Sequence, residues 1–192
     1  MKSHHIKIDM DIKQREIYDF IEKQYVQFIE LSQADYEAAE ILNKAKLIRL
    51  RQTSTDPSML YNSISDSLDK NDRNRNYFEE TNDEIGDADI FDEIQSYKTI
   101  TPPKFTSILS LLNDILPRKE KVLIWTIFVS NAEKLKSFLK LNGIDSELLI
   151  GKTPDDERES IIKTFNNPDN LNLQVVIANP FTIGESISLH KG

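Results

Sequence analysis

Residues 122–129 of this chain read VLIWTIFV, a continuous run that is almost entirely apolar. β-Branched and aromatic residues dominate the run, as expected of a strand that is buried on both faces of a parallel sheet. The run therefore predicts a strand in the core of an α/β protein. It also places Trp125 in that core, which favours a packing role for this indole over a role in stacking on a base.

A helix is predicted on each side of this strand. Residues 105–116 carry apolar residues at helical spacing, and Pro117 ends the pattern. After the strand, Ser130 and Glu133 form a capping box, which marks the start of the next helix. Gly143 stands where a glycine commonly terminates such a helix in the left-handed conformation.

The same alternation continues to residue 178. Residues 144–150 and 173–178 have the apolar character of buried strands. A helix is predicted between them, with Thr153 as its cap and Pro154 at its first position. A β-α-β-α-β order of this kind predicts an α/β fold, in which helices flank a parallel sheet.

The N-terminal part of the sequence predicts helices. Residues 6–10 alternate between apolar and polar residues, which indicates a short strand, and a helix follows from about Ile12. A second helix is predicted to start at Ser32 and to end near Thr53, with Ile48 on its apolar face. Two consecutive amphipathic helices with a brief join indicate an antiparallel helical hairpin.

Charge and composition restrict the classes of function. The net charge of −8 argues against nucleic-acid binding by bulk electrostatics, but the excess of acid lies between Asp66 and Glu93, so a basic strip elsewhere is compatible with it. The chain has no cysteine and three histidines, which excludes disulfides and thiolate ligands, and we expect no metal site.

The chain is expected to have no membrane partner. No apolar run reaches the roughly 18 residues that a membrane helix needs, and the N-terminus lacks the apolar core of a secretory signal. We expect a cytoplasmic protein, associated with the nucleoid in a bacterium or located in the nucleus in a eukaryote. Three segments are predicted: residues 1–57 with the strand and hairpin, an acidic connector or insertion at 58–100, and the α/β unit at 101–192.

Three segments of the C-terminal half resemble motifs of superfamily-two helicases. The strand at 122–128 resembles motif IV, which opens the second RecA-like lobe of these motors. Residues 151–166, with GKT followed by R and FN, resemble the family's G-x-(S/T)…R…F-N stretch. Residues 175–179 and 184–189 (VVIAN and GESISL) resemble motif V. Their order and separation make the resemblance more specific than any single motif would.

Two segments of the N-terminal half indicate the subfamily. Residues 13–18 (KQREIY) are similar to the Q-x-x-(I/L)-Y helix that follows the first lobe of Swi/Snf-type ATPases. Residues 47–52 (LIRLRQ), with Pro57, are similar to their L-R-Q-…-P element. The chain thus resembles Swi/Snf-type ATP-dependent DNA translocases from a helical hairpin through motif V of the second lobe. This implies a partial RecA-like parallel sheet flanked by helices.

The resemblance implies part of an ATP-dependent DNA translocase or helicase motor, contributing DNA-backbone contacts and part of the nucleotide cleft. The sequence has no G-x-x-x-x-G-K-[ST] loop, no D-E-x-H box and no motif VI. ATP and Mg²⁺ are therefore expected only in the complete protein, and we expect no ATP hydrolysis by this chain alone. The expected partners are the duplex DNA backbone, an absent first RecA-like lobe, and a second copy bound through a free sheet edge after the last strand.

Four residues are expected to contact DNA. Thr126 ends the first strand, where a hydroxyl faces the crevice of an α/β sheet, although a buried strand-end threonine is an equal alternative. Lys152 and Thr153 precede a helix N-terminus, where phosphate is favoured, and ordinary capping is part of the role of Thr153. Asn179 and the proline after it replace the family's usual Ser-Thr, and Thr182 is the expected substitute for the lost hydroxyl.

Two residues are expected to face the nucleotide. Gly184 and Glu185 carry the resemblance to motif V, and Glu185 is a candidate acceptor for a ribose hydroxyl, with a solvated helix-start acid as the alternative. Arg158 is interpreted as structural, either bonding the carbonyl groups at a strand end or pairing with Asp155. No catalytic residue is predicted within this chain.

Two rival functions remain open. A non-enzymatic adaptor, built on a degenerate helicase lobe that only docks other proteins, fits the acidic charge and the absent ATP motifs. A small nucleotide-binding transferase would need a glycine-rich loop after the first strand, and residues 126–130 contain no glycine.

Overall fold

The computed structural model describes residues 3–31, 36–61 and 87–183. Packing divides the chain into two units, residues 1–103 and 104–192, which we call unit 1 and unit 2. No helix in the described ranges is long and apolar enough to cross a membrane. The helices and strands are α1 (Ile12–Leu31), α2 (Tyr36–Thr55), α3 (Asp87–Ser96), α4 (Pro103–Ile115), β1 (Val122–Trp125), α5 (Val129–Leu141), β2 (Glu147–Leu149), α6 (Asp155–Asn166), β3 (Val175–Ala178) and α7 (Pro180–Ile183).

Unit 1 is built on the two predicted helices. Helices α1 and α2 pack against each other, and α3 packs against α1. Residues from both ends of the predicted connector join the same core, since Leu60 and Tyr97 are fully buried in it. The apolar core of unit 1 consists of Ile17, Ile21, Leu50, Leu60, Ile94 and Tyr97.

Two predictions for unit 1 are wrong. Residues 6–10 do not form a strand, because no strand among the described residues lies beside them to pair with their backbone groups. Ile48 is 51% exposed, whereas Leu50 is buried. Two residues along a helix are about 200° apart around its axis, so the burial of Leu50 turns Ile48 towards solvent. The predicted cap at Ser32 lies outside the described residues.

Unit 2 contains a parallel three-stranded sheet in the order β1-β3-β2. The central strand β3 is buried at every position. Val175 and Ile177 of this strand pack with residues of α4 and α5, whereas Val176 and Ala178 pack with residues of α6. Because successive residues of a strand point to opposite faces, α4 and α5 cover one face of the sheet and α6 covers the other. The predicted α/β fold with a flanked parallel sheet is confirmed.

The position of the last strand differs from the expectation. The strand β3 is paired on both sides, so a free sheet edge after the last strand, as predicted, does not exist there. The outer strands of the described sheet are β1 and β2. The strand β1 is also shorter than the apolar run, and Trp125 at its end is 51% exposed rather than buried in the core. This exposure follows from the outer position of β1, which pairs only with β3 among the described strands.

Helix ends in unit 2 are partly as predicted. Gly143 follows α5 with a φ of 78°, in the left-handed conformation that was expected. The N-cap of α5 is Phe128 rather than Ser130, and no side chain caps this helix. The N-cap of α6 is Pro154, again without a side-chain bond, so the predicted capping role of Thr153 is wrong. The hydroxyl of Thr153 has other partners, described next.

Candidate nucleic-acid interface

The three strands of unit 2 end in one row. Trp125 and Leu149, the last residues of β1 and β2, are both in register with Ala178, the last residue of β3. We call the segments that follow the three strands, residues 126–128, 150–153 and 179–181, the carboxyl edge. In open α/β sheets, ligands bind in the crevice outside this edge. The fold therefore brings Thr126, Lys152 and Thr153 to the same end of the sheet.

Thr126 is held at its backbone and at its side chain. Its main-chain N–H donates to the carbonyl of Ala178 at 3.0 Å, which continues the β1–β3 ladder by one residue. Its buried hydroxyl oxygen accepts a hydrogen bond from Nδ2 of Asn131 at 3.0 Å. No acceptor for the hydroxyl proton is found within residues 3–31, 36–61 and 87–183. Within the described part of the chain, Thr126 thus presents a fixed hydroxyl group that still has its proton to donate.

Thr153 closes the turn that follows β2. Its hydroxyl donates to the carbonyl of Leu148 at 3.0 Å and accepts from the main-chain N–H of Ile150 at 3.1 Å. Its own N–H donates to the carbonyl of Ile150 at 3.0 Å. Because the hydroxyl is used internally, its first role is to shape the loop that presents Lys152.

Lys152 is the exposed cation of the carboxyl edge. Its Nζ lies 3.4 Å from Oε1 of Glu133 on α5, and both side chains are solvent-accessible. Exposed ion pairs of this kind contribute little free energy, in the range of about 0–1 kcal/mol. The ammonium group can therefore exchange Glu133 for an external anion at low cost.

Arg158 has the structural role that was expected. From the first turns of α6, Nη2 donates to the carbonyls of Ile150 and Thr153 at 3.4 and 3.2 Å. These are the carbonyl groups of the loop after β2. The guanidinium thereby fixes the loop that carries Lys152.

The roles of two asparagines, Asn179 at this edge and Asn131 in α5, were not predicted from the sequence. Asn179 donates from Nδ2 to the carbonyl of Ile127 at 3.0 Å and accepts from the N–H of Phe181 at 2.9 Å. It thus joins the segment after β1 to the start of α7. Asn131, in the first turn of α5, is the partner of Thr126. An Asn-Pro pair at a strand end is a sequence signal for the first case, because Asn caps helices and Pro begins them. The second case has no such signal.

Thr182, Gly184 and Glu185 are the remaining candidate site residues. Thr182 falls in α7, after β3, but its side chain lies outside the described residues. Gly184 and Glu185 also lie outside them. The predictions for these three residues stay predictions.

Two lysines of unit 2 have shifted pKa values. Burial lowers the pKa of Lys121, which precedes β1 at the opposite end of that strand. Its Nζ donates to the carbonyls of Phe165 and Asn167, both at 2.6 Å, and so ties the end of α6 to the start of β1. Burial also lowers the pKa of Lys104 in α4. No group of His, Asp or Glu in the described ranges is arranged to hold a metal ion.

Comparison with known proteins relates unit 2 to a family of helicase domains. The helicase conserved C-terminal domain matches residues 104–190, from the start of α4 through the motif V-like segment. Residues 104–190 thus resemble a helicase conserved C-terminal domain. The mouse (Mus musculus) "DNA excision repair protein ERCC-6-like 2" is 27% identical over 85 residues, which is 42% of this chain. The chain spans 6% of the length of that protein.

Solved structures of helicase and ATPase domains share the fold. The Sulfolobus solfataricus SWI2/SNF2 ATPase C-terminal domain matches with a TM-score of 0.63 and 15% identity, over 91% of this chain and 61% of that one. The C-terminal part of the Fun30 ATPase domain matches with a TM-score of 0.62 and 20% identity, over 97% of this chain and 71% of that one. The Pyrococcus furiosus Hef helicase domain matches with a TM-score of 0.67 and 14% identity, over 97% of this chain and 47% of that one. The domain match and these folds confirm the predicted resemblance and the RecA-like architecture.

Proposed function

We propose that this helicase C-terminal domain acts as the second lobe of an ATP-dependent DNA translocase and contacts the phosphate backbone of duplex DNA through its carboxyl edge. The observation that carries the proposal is the fixed hydroxyl of Thr126 at the row where three parallel strands end. Hydroxyl groups and lysines are common donors to DNA phosphates, and such contacts do not depend on base sequence.

The distribution of charge supports the proposal. Residues 1–103 contain 13 Lys or Arg and 21 Asp or Glu, which accounts for the whole net charge of −8. Residues 104–192 contain 11 Lys or Arg and 11 Asp or Glu, so they carry no net charge. The helicase domain therefore carries no net charge that would repel DNA. With few cations at the edge, binding is expected to be weak and sensitive to salt.

ATP and Mg²⁺ belong to this proposal through the complete motor. In the complete motor, we propose that the first RecA-like lobe holds Mg²⁺ together with the phosphates of ATP. Gly184 and Glu185 are the residues that we propose to face the nucleotide. ATP bound between the lobes would supply the free energy for opening and closing them.

A titration of labelled duplex DNA with the purified chain tests the proposal. Fluorescence anisotropy at low and moderate salt, with and without ATP, is expected to show binding that falls steeply with salt, is equal for unrelated sequences and is unchanged by ATP. Lys152→Ala should weaken this binding and reduce the salt slope by about one unit. The control Lys140→Ala, near the opposite end of α5, should leave the salt slope unchanged. No binding at low salt would contradict the proposal and favour the adaptor function.

A further inference from the structure

Asn131 is a buried polar residue with an incomplete set of partners. It lies in the first turn of α5, five residues after Thr126, and only 5% of it is exposed. Nδ2 donates to the hydroxyl oxygen of Thr126 at 3.0 Å. Oδ1 is buried and has no hydrogen-bond partner among the described residues. Considering the described ranges alone, the side chain is therefore bonded to Thr126 through Nδ2 and unsatisfied at Oδ1.

The bond from Asn131 determines what the Thr126 hydroxyl can do. A hydroxyl group has one proton to donate and two lone pairs that accept. Because Nδ2 occupies a lone pair, the amide favours orientations in which the hydroxyl proton points away from Asn131. Accepting a hydrogen bond also polarises the O–H group and makes it a stronger donor. The arrangement suits a ligand atom that only accepts, such as a phosphodiester oxygen.

The unsatisfied oxygen argues against a purely stabilising role. A buried carbonyl oxygen without a partner lowers the stability of the folded state, whereas an apolar side chain of similar volume would carry no such penalty. Two residues of α5 close to Asn131 in the sequence, Ala132 and Leu135, are apolar and belong to the core. Leucine has the branched shape of asparagine and carries no polar atom that burial would leave unsatisfied.

We propose that Asn131 is a positioning residue that holds the hydroxyl of Thr126 as a hydrogen-bond donor to a DNA phosphate. The inference rests on the proposed function, because it assigns the residue that prepares the contact at the same site. Asn131 itself does not contact DNA in this proposal. It acts through Thr126, at a cost in stability.

A double-mutant cycle on the purified chain tests this role. Asn131→Leu, Thr126→Val and the double variant are titrated against the same short duplex DNA, and each is unfolded in urea. Asn131→Leu is expected to bind DNA roughly fivefold to tenfold more weakly while being at least as stable as the unchanged chain. The double variant should bind no more weakly than Thr126→Val alone, because Asn131 has no effect without the hydroxyl. Asn142→Ala, at the other end of α5, is the matched control and should leave DNA affinity unchanged.

The outcomes separate this inference from the proposed function. If the unchanged chain does not bind DNA, both fail. If Thr126→Val weakens binding but Asn131→Leu does not, only the positioning role fails. If the losses of DNA affinity in the two single variants add up in the double variant, Asn131 acts independently of Thr126, and the positioning role also fails. Should Asn131→Leu not fold, Asn131→Ala gives the same cycle with a smaller side chain.

Discussion

The side-chain amide of Gln14 donates a hydrogen bond of 2.8 Å to the main-chain carbonyl of Thr53, 39 residues further along the chain. Both residues are almost fully buried. Gln14 lies in the first turn of α1, and Thr53 lies in the last turn of α2. The bond therefore links the first segment that resembles Swi/Snf-type ATPases to the residue directly after the LIRLRQ segment, and it fixes the end of α2 to the start of α1.

Replacing Gln14 with alanine is expected to lower the free energy of unfolding of unit 1 by about 1–3 kcal/mol, because the buried carbonyl of Thr53 loses its partner. Urea unfolding followed by circular dichroism measures the change. Gln95→Ala removes an exposed glutamine from α3 and should have little effect. Equal effects of the two variants would show that the Gln14–Thr53 bond does not stabilise the hairpin.

The burial of Tyr97 predicts that the stability of unit 1 depends on pH. Burial raises the pKa of this phenol, and a hydrogen bond from its hydroxyl to the carboxylate of Asp11 raises it further. The folded state therefore keeps the proton at a pH where the unfolded chain releases it. Stability that is complete below about pH 10, the ordinary value for tyrosine, should fall as the pH rises above it.

Tyr97→Phe should remove this component of the pH dependence, which is measured as the urea midpoint at about pH 8 and about pH 11. Tyr18→Phe, which leaves Tyr97 in place, is the control and should retain it. A fall of the midpoint that is as steep in Tyr97→Phe as in the unchanged chain would assign the dependence to other groups.

Gly143 is expected to be the conformationally sensitive residue of unit 2. Its φ is 78°, and a Cβ atom added there would meet no atom within 4 Å, so the cost of a substitution is conformational rather than steric. Gly143→Ala should lower the free energy of unfolding by about 1 kcal/mol, and Gly143→Asn by less, because Asn adopts the left-handed conformation more readily. Equal losses for Ala and Asn would argue against this explanation.

Glu133 is expected to weaken DNA binding by occupying Lys152. Glu133→Gln should release the ammonium group, remove a nearby negative charge and raise the affinity for duplex DNA by roughly twofold to threefold at low salt. Glu147→Gln is the matched control, because it removes the same charge from the Lys136–Glu147 pair at the start of β2. Equal gains in both variants would indicate a general effect of charge rather than competition for Lys152.

Much of the fold could be predicted from sequence because its signals are local. The apolar runs and the glycine at 143 are read from consecutive residues, and each corresponds to an observed element or helix end. The order of the strands is not local. The burial of β3 was predicted from its apolar run, but the sequence does not state which strand lies in the centre, so the edge position after the last strand and the burial of Trp125 were both assigned wrongly.

The candidate site also combines features that the sequence predicts with features that depend on the fold. Strand ends predict which residues reach the carboxyl edge, since the ends of parallel strands meet there. What each side chain does depends on partners brought by the fold. Thr153 was assigned to the helix, but its hydroxyl bonds the carbonyl of Leu148 in the preceding strand. Asn131 could not be selected from sequence, because a single asparagine in the first turn of a helix has no distinctive pattern.

The central claim is that the hydroxyl of Thr126 binds the DNA backbone. The most direct test compares the affinity of the unchanged chain, Thr126→Val and the control Thr106→Val, on α4, for one duplex across a range of salt concentrations. Because the lost contact is an uncharged donor, Thr126→Val is predicted to bind about tenfold more weakly with an unchanged salt slope, and Thr106→Val to bind as the unchanged chain does. Equal affinity of all three proteins would contradict the account.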